Sequence, residues 1–337
     1  MKIVMIGNTG VGKTTYMASL YGILQQQLGG FSLQAINQQD HRLWLDLATD
    51  IAKSRYPEKT SQRAEYDFLL QHKGKDIFAF RWSDYRGGAI REASSSEQSQ
   101  GLINDLREAD GVIMFCDIEA KHNKQSEIRR MTVLLTQAME KLEKPLCLSI
   151  VFSKADQITH FGENLIRPFE QLITIINASE WVIGSFIPVA CGQYFMNVSL
   201  PLLFALYGGA YVQAQFTAYA AQETYNQALE RYKQSQTFGG GLQWLKNKWN
   251  AEMTQEEIAI QEYNQAVELA QKYEYIKEPV IALNNYIQRI PFIESGTNLT
   301  NYASACANLK FYEKLSLSRM GNSRANASKN NTDTRTL

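Results

Sequence analysis

Lys2-Ile3-Val4-Met5-Ile6-Gly7-Asn8-Thr9-Gly10-Val11-Gly12-Lys13-Thr14-Thr15 stands at the start of the chain. The apolar run through Ile6 has the length of a short buried strand, and a helical pattern follows from Thr15. Between them lies GxxxxGK[ST], in the strand–loop–helix context the motif requires. Gly7, Gly10 and Gly12 accept backbone angles that turn successive N–H groups inward, making a concave anion nest at a helix N-terminus. Asn8, Thr9, Val11 and Thr15 supply the rest of that nest. Lys13 is long enough to reach the β- and γ-phosphates of a nucleotide, and the Thr14 hydroxyl is placed to ligate Mg²⁺. The plain alternative is a glycine-rich turn before a helix.

Outward from this loop, strand-length apolar runs alternate with helical patterns. Strands are expected at 2–6, 31–36, 65–71, 76–83, 111–117, 146–152 and 185–190, and helices near 13–28, 39–55, 96–108, 124–142, 162–178 and 198–207. That alternation predicts an α/β fold, a mostly parallel sheet flanked by helices, with ligand loops at the carboxyl ends of its strands. The runs 65–71 and 76–83, joined by His72-Lys73-Gly74-Lys75, read as a hairpin that contributes one antiparallel edge strand.

The 337 residues suffice for a large domain with an appendage. Lys plus Arg and Asp plus Glu are 34 each, which gives no generic electrostatic grip on nucleic acid or anionic membrane. The four cysteines, Cys116, Cys147, Cys191 and Cys306, are scattered; three lie in or beside strand-like runs and read as buried thiols of a reducing, cytoplasmic protein. His41, His72, His122 and His160 show no metal-ligand spacing. A cleaved leader would destroy the first strand, and no run is long enough to span a bilayer.

Three further elements follow in order. Ile77–Trp82 leads into Ser83-Asp84-Tyr85-Arg86-Gly87-Gly88, a strand ending in DxxG. Asp84, beside the phosphate-loop strand, would hold Mg²⁺ through water, and the Gly87 N–H would bond a γ-phosphate. Next, Leu148–Phe152 leads into Ser153-Lys154-Ala155-Asp156, an SKxD variant of the guanine-reading NKxD element. Asp156 could accept from N1–H and the N2 amine of guanine, donors that adenine lacks there, with the Lys154 stem along the base plane. The other reading has Asp156 capping a helix. Ala190-Cys191-Gly192, after Phe186–Val189, is similar to the short SAK-type loop in which an alanine N–H meets guanine O6, with Cys191 where a basic residue is usual.

In order and spacing these elements resemble a Ras-like, translation-factor-class (TRAFAC) P-loop GTPase over residues 1 to about 207. More narrowly, Asp84–Gly88 (DYRGG), Tyr56-Pro-Glu-Lys-Thr60 and Asn197–Phe204 resemble the bacterial double-GTPase-type proteins. The resemblance implies GTP or GDP with Mg²⁺, and a switch-I threonine that ligates the metal. Thr60 is the candidate, with Ser61 its rival and a plain loop threonine the alternative. Lys13, Thr60 and Gly87 are then the candidate catalytic groups, and Thr14, Thr60 and Asp84 the metal ligands. The stretch of about 29–56 reads as an insertion adding a strand and a helix.

Two departures bear on hydrolysis. Gly88 stands where Ras-like enzymes place a water-orienting glutamine, and Thr9 replaces a glycine and would crowd a finger arginine. Arg86, Arg91 and Glu92 could each act in cis. Unassisted turnover on or below the order of 10⁻⁴–10⁻² s⁻¹ is expected. That pattern suits a switch completed by a protein effector or activator, or by a dimer partner.

Residues 208–315 read as a helical hairpin or small bundle. Tyr211, Ala214, Ala218, Ala221, Tyr225, Ala228 and Tyr232 form a seam on one helix through 211–236; a second helix runs through Glu256–Lys277, and a third begins around Pro279. The seam serves either packing within the hairpin or docking of another chain. Leu242, Leu245 and Trp249, flanked by Lys246 and Lys248 and preceded by Gly239–Gly241, read as a cap of the bundle or as a short membrane-contacting helix. Residues 316–337 are polar and expected to be disordered. The functional alternatives to a GTP switch are a P-loop ATPase and a nucleotide-bound scaffold that does not hydrolyse.

Overall fold

The computed structural model describes residues 1–58, 63–85, 97–117, 124–140, 142–157, 161, 163–191, 194–236, 253–294, 296–298, 301–302 and 305. Thr60, Ser61, Arg86, Gly87, Gly88, Arg91, Glu92, the 239–249 segment, Cys306 and the 316–337 tail lie outside the described residues. Those described fall into two compact units, Met1–Gly209 with the residues from Leu283 on, and Ala210–Ala282.

The first unit is built on β1 (Lys2–Gly7), β2 (Phe31–Ala35), β3 (Ala64–His72), β4 (Lys75–Asp84), β5 (Gly111–Asp117), β6 (Leu146–Ser153) and β7 (Val182–Pro188), in the order β2-β3-β4-β1-β5-β6-β7. The sheet is mostly parallel; only the pairs β2–β3 and β3–β4 are antiparallel. Helices α1 (Lys13–Leu24), α2 (Gln38–Ala52), α3 (Glu97–Glu108), α4 (Lys124–Met139), α5 (Glu163–Ile166) and α6 (Glu170–Ala178) link the strands. β1, β5 and β6 are buried almost throughout, which is why they read as unbroken apolar runs.

The hairpin β3–β4 turns at Lys73 and Gly74, both at positive φ (51° and 77°), the geometry of a primed turn. Its antiparallel strand is not at the edge, however. β2 adds outside β3, so the stretch before the hairpin takes the edge that the sequence assigns to β3. α2 follows β2, capped by Asn37, whose side chain accepts from the Gln39 N–H at 2.7 Å. Its buried Trp44, Ala48 and Ile51 recur at helical spacing.

β7 begins three residues earlier than the apolar run suggests and stops at Pro188, which has no N–H for a further rung. Its outer edge is covered by the chain that returns after the second unit. Gly184 and Ile293 exchange backbone hydrogen bonds (2.9 and 2.7 Å), and Ser185 Oγ donates to the Pro291 carbonyl.

Two expected breaks are absent. The helix near 198–207 and the seam helix are one element, α7 (Leu200–Ser235). Gly208 and Gly209 serve close packing inside it: a Cβ on Gly208 would meet Cys147 Sγ at 3.1 Å, and one on Gly209 would meet Met1 Sδ at 2.9 Å. Pro279 likewise starts no helix but lies within α8 (Gln255–Ile287).

In the second unit the seam divides by size. Ala214, Ala228, Ala259 and Ala266 are buried, whereas Tyr211, Tyr225, Tyr232 and Tyr263 are exposed. Small side chains let the helices approach, and an Arg231–Glu262 ion pair at 2.8 Å ties them together. Thr254 and Glu257 form a reciprocal capping box at the start of α8. Among the described residues no helix is long and apolar enough to cross a membrane.

Candidate functional site

β1 lies at the centre of the sheet, between β4 and β5, so its carboxyl end is where an open α/β sheet holds ligands. The loop Gly7–Gly12 leaves β1 there and opens α1. Gly7 is sterically confined: a Cβ would come within 2.8 Å of the Phe115 Cβ on β5. Gly12 caps α1 in the left-handed region (φ 92°), where only glycine is unstrained.

The Lys13 side chain is buried and turns back on the loop, donating to the Gly7 carbonyl at 2.8 Å. Burial lowers its pKa, opposed by the charge of Asp84. Asp84 arrives from the neighbouring strand, paired in register with Met5. Phe78, Phe80, Trp82 and Asp84 are buried at alternate positions, so strand parity aims the carboxylate at the face packed by Tyr16 and its neighbours on α1. Burial pushes the Asp84 carboxyl up to about 6, with Lys13 opposing. Among the described residues no donor reaches Asp84 Oδ1 or Asn8 Oδ1, although both are buried. An orphaned buried carboxylate oxygen beside a phosphate-type loop fits a cation.

The second loop follows β6. Ser153 Oγ donates to the Cys116 carbonyl (3.3 Å), and Lys154, at φ 60°, pairs its ammonium with Asp117 Oδ2 at 2.7 Å. Ala155–Gln157 form one 3₁₀ turn, anchored by the Ala155 N–H on the Val189 carbonyl (3.0 Å). Val189 precedes the ribbon β8 (Ala190–Cys191) and β9 (Phe195–Met196). Burial pushes the Cys191 thiol up to about 12, and the charge of Asp156 adds to this.

These loops face one cavity of about 460 Å³ in the first unit, within the usual range for ligand sites. Asn8, Thr9, Gly10, Val11, Gly12, Lys13, Thr14 and Thr15 line one side, and Ser153, Lys154, Asp156 and Cys191 another. Gly7, Asp84 and Ala190 are not among the lining residues. Tyr56, Pro57, Glu58, Phe115, Gln157 and Val189 also line it and were not anticipated as site residues. Asp117 was missed as well. Its signal is an acid directly after the apolar run Val112–Cys116, at a strand's carboxyl end; its partner lies 37 residues away.

The decisive comparison covers the phosphate loop and the DxxG strand. Residues 4–148 match the model of the family Double-GTPase 1. The resemblance drawn from the DYRGG and Tyr56–Thr60 strings therefore stands, and that stretch is similar to double-GTPase-type P-loop GTPases. The match covers less than half of the chain and ends before Ser153. No curated protein matches. Among solved structures the chain is similar to the mammalian SRP receptor (13% identity, TM-score 0.34, covering 57% of this chain and 92% of that one). It is also similar to the signal recognition particle receptor SRb-GTP/SRX complex from Chaetomium thermophilum (12% identity, TM-score 0.35, covering 62% and 97%).

Proposed function

We propose that this chain is a Mg²⁺-dependent guanine-nucleotide switch, cytoplasmic and of bacterial type, that hydrolyses GTP slowly to GDP and phosphate and acts through nucleotide-dependent protein binding. One observation carries the reading: the phosphate-type loop and the Ser153–Asp156 loop open on the same cavity at the carboxyl end of the sheet. The family match over residues 4–148 supports nucleotide binding by the first loop.

In this reading the N–H groups from Gly10 to Thr15 hold the phosphates, and the Lys13 ammonium leaves the Gly7 carbonyl for phosphate oxygen. Thr14 and Asp84 would hold Mg²⁺, which when bound neutralises charge on the β- and γ-phosphates. The orphaned Oδ1 of Asp84 favours this assignment. Asp156 reads the base, Lys154 lies beside it, and the Ala190 and Cys191 backbone closes the base end. Thr60 and Gly87 take the γ-phosphate-sensing roles that the family resemblance implies. With Gly88 in place of glutamine, the hydrolytic water lacks an orienting side chain, so purified protein turns over slowly until a partner or second copy completes the site.

Asp156→Asn tests the base assignment. Competition among GDP, ADP and xanthosine diphosphate for bound fluorescent GDP is expected to show guanine preference in the parent and a shift toward xanthine in the variant. An unchanged preference removes Asp156 from this role, and equal affinity of the parent for ADP and GDP favours the ATPase reading.

A further inference from the structure

β5 is the strand that the two loops share. Its Phe115 stands opposite Gly7 of the phosphate loop, and its last residue, Asp117, stands opposite Ser153 of the second loop. Both loops are therefore referenced to the end of one buried strand.

The second loop is fastened there twice. Ser153 Oγ donates to the Cys116 carbonyl, and the Lys154 ammonium meets the Asp117 carboxylate at 2.7 Å. Serine is shorter than the asparagine of the NKxD pattern, and its hydroxyl is engaged on β5. Lys154 also holds a positive φ, a conformation that costs a non-glycine residue on the order of 1 kcal/mol and persists only under constraint. The Asp117 side chain is 15% exposed and that of Lys154 37%, so the pair is partly shielded from solvent on the carboxylate side.

From this geometry we infer that Asp117 is a positioning residue for base recognition: its carboxylate anchors Lys154 and thereby fixes the turn that presents Asp156. The inference rests on the guanine reading of Asp156 proposed above. It assigns to β5 a part in base selection that no motif residue in the loops discloses.

A double-mutant cycle tests it, with Asp117→Asn, Lys154→Gln and the double variant, read by fluorescent GDP dissociation and by displacement with GDP, ADP and xanthosine diphosphate. Each single variant is expected to lose about tenfold in GDP affinity, the scale of a charge-assisted hydrogen bond, with a reduced preference for GDP over ADP. The double variant should lose no more than Lys154→Gln alone. Additive losses, or unchanged GDP affinity in Asp117→Asn, would overturn the inference. Should Asp117→Asn not fold, comparing Lys154→Gln with the double variant reads what Asp117→Asn does once Lys154 is gone; no further loss supports the inference, and a further tenfold loss counts against it. The two proposals fail separately. Asp156→Asn with unchanged guanine preference removes the base reading itself. A xanthine shift there, with no effect at Asp117, removes only the positioning role.

Discussion

Under the proposed function, Asp84 is the buried side chain through which fold and ligand are coupled. Its carboxyl is pushed up to about 6 by burial, so at neutral pH, where it is ionised, the ligand-free fold is less stable than with an unshifted carboxyl by an amount on the order of 3 kcal/mol. The sign follows from proton binding. Between the unfolded value near 4 and about 6 the native state holds the extra proton, so this group's contribution to stability declines as pH rises through that window and is level above it. A bound cation reverses the preference, because it requires the carboxylate. Nucleotide affinity in Mg²⁺ is therefore expected to weaken as pH falls below about 6, measured by fluorescent GDP titration with and without EDTA. Asp84→Asn should raise the melting temperature of the ligand-free protein while abolishing the difference that Mg²⁺ makes to GDP binding. A lower melting temperature would contradict the account of a strained charge.

At the scale of elements, Asp105 ties α3 to the paired strands β3, β4 and β1 of the first unit. It accepts from Lys2 at the start of β1 (2.7 Å), from Arg63 just before β3 (2.6 Å) and from the Tyr85 hydroxyl directly after β4. The Arg63 guanidinium also lies over the Tyr85 ring, 5.0 Å from its centroid. Burial alone would raise the Asp105 carboxyl; hydrogen bonds from Lys2 and Tyr85 outweigh it and hold the pKa below the usual value. A depressed carboxylate contributes stability that is present above its unfolded pKa and lost as pH falls through the folded one. Asp105→Asn is expected to destabilise by about 1–2 kcal/mol in urea at neutral pH, since the Tyr85 hydroxyl loses its carboxylate acceptor while Lys2 and Arg63 keep Glu108 and Glu65. The deficit should shrink below pH 4, and a deficit independent of pH would assign the loss to packing. None of this was legible beforehand: Asp105 reads as one more acid on a helix, and Arg63 lies 42 residues from it. The continuity of the long helices is hidden from local sequence for a related reason. Gly208, Gly209 and Pro279 are breakers by local propensity, but α7 and α8 continue through all three, because tertiary packing outweighs preferences of about 1–3 kcal/mol.

For the molecule as a whole, the proposed function makes folding and ligand one linked equilibrium. A ligand that binds only the native state stabilises it by about 2.7 kcal/mol at a hundred times its Kd. Millimolar GDP with Mg²⁺ is thus expected to raise the melting temperature, and ADP with Mg²⁺ to raise it much less, in a calorimetric scan of the full chain. Equal shifts would speak for a phosphate loop without base selection. Local order along the chain determined the strand–loop–helix at Gly7–Thr15, the alternating sheet and helix elements, and the two motif strands ending at Asp84 and Ser153. These depend on backbone freedom, side-chain period and residue type within a dozen positions, all of which a sequence displays. Tertiary structure alone decided that β2 rather than β3 takes the edge, that the two loops open on one cavity, and that Asp117 and Asp105 hold their distant partners. Those outcomes depend on which strands become neighbours, and a contact across 37 or 42 residues is created by strand order rather than by any local pattern.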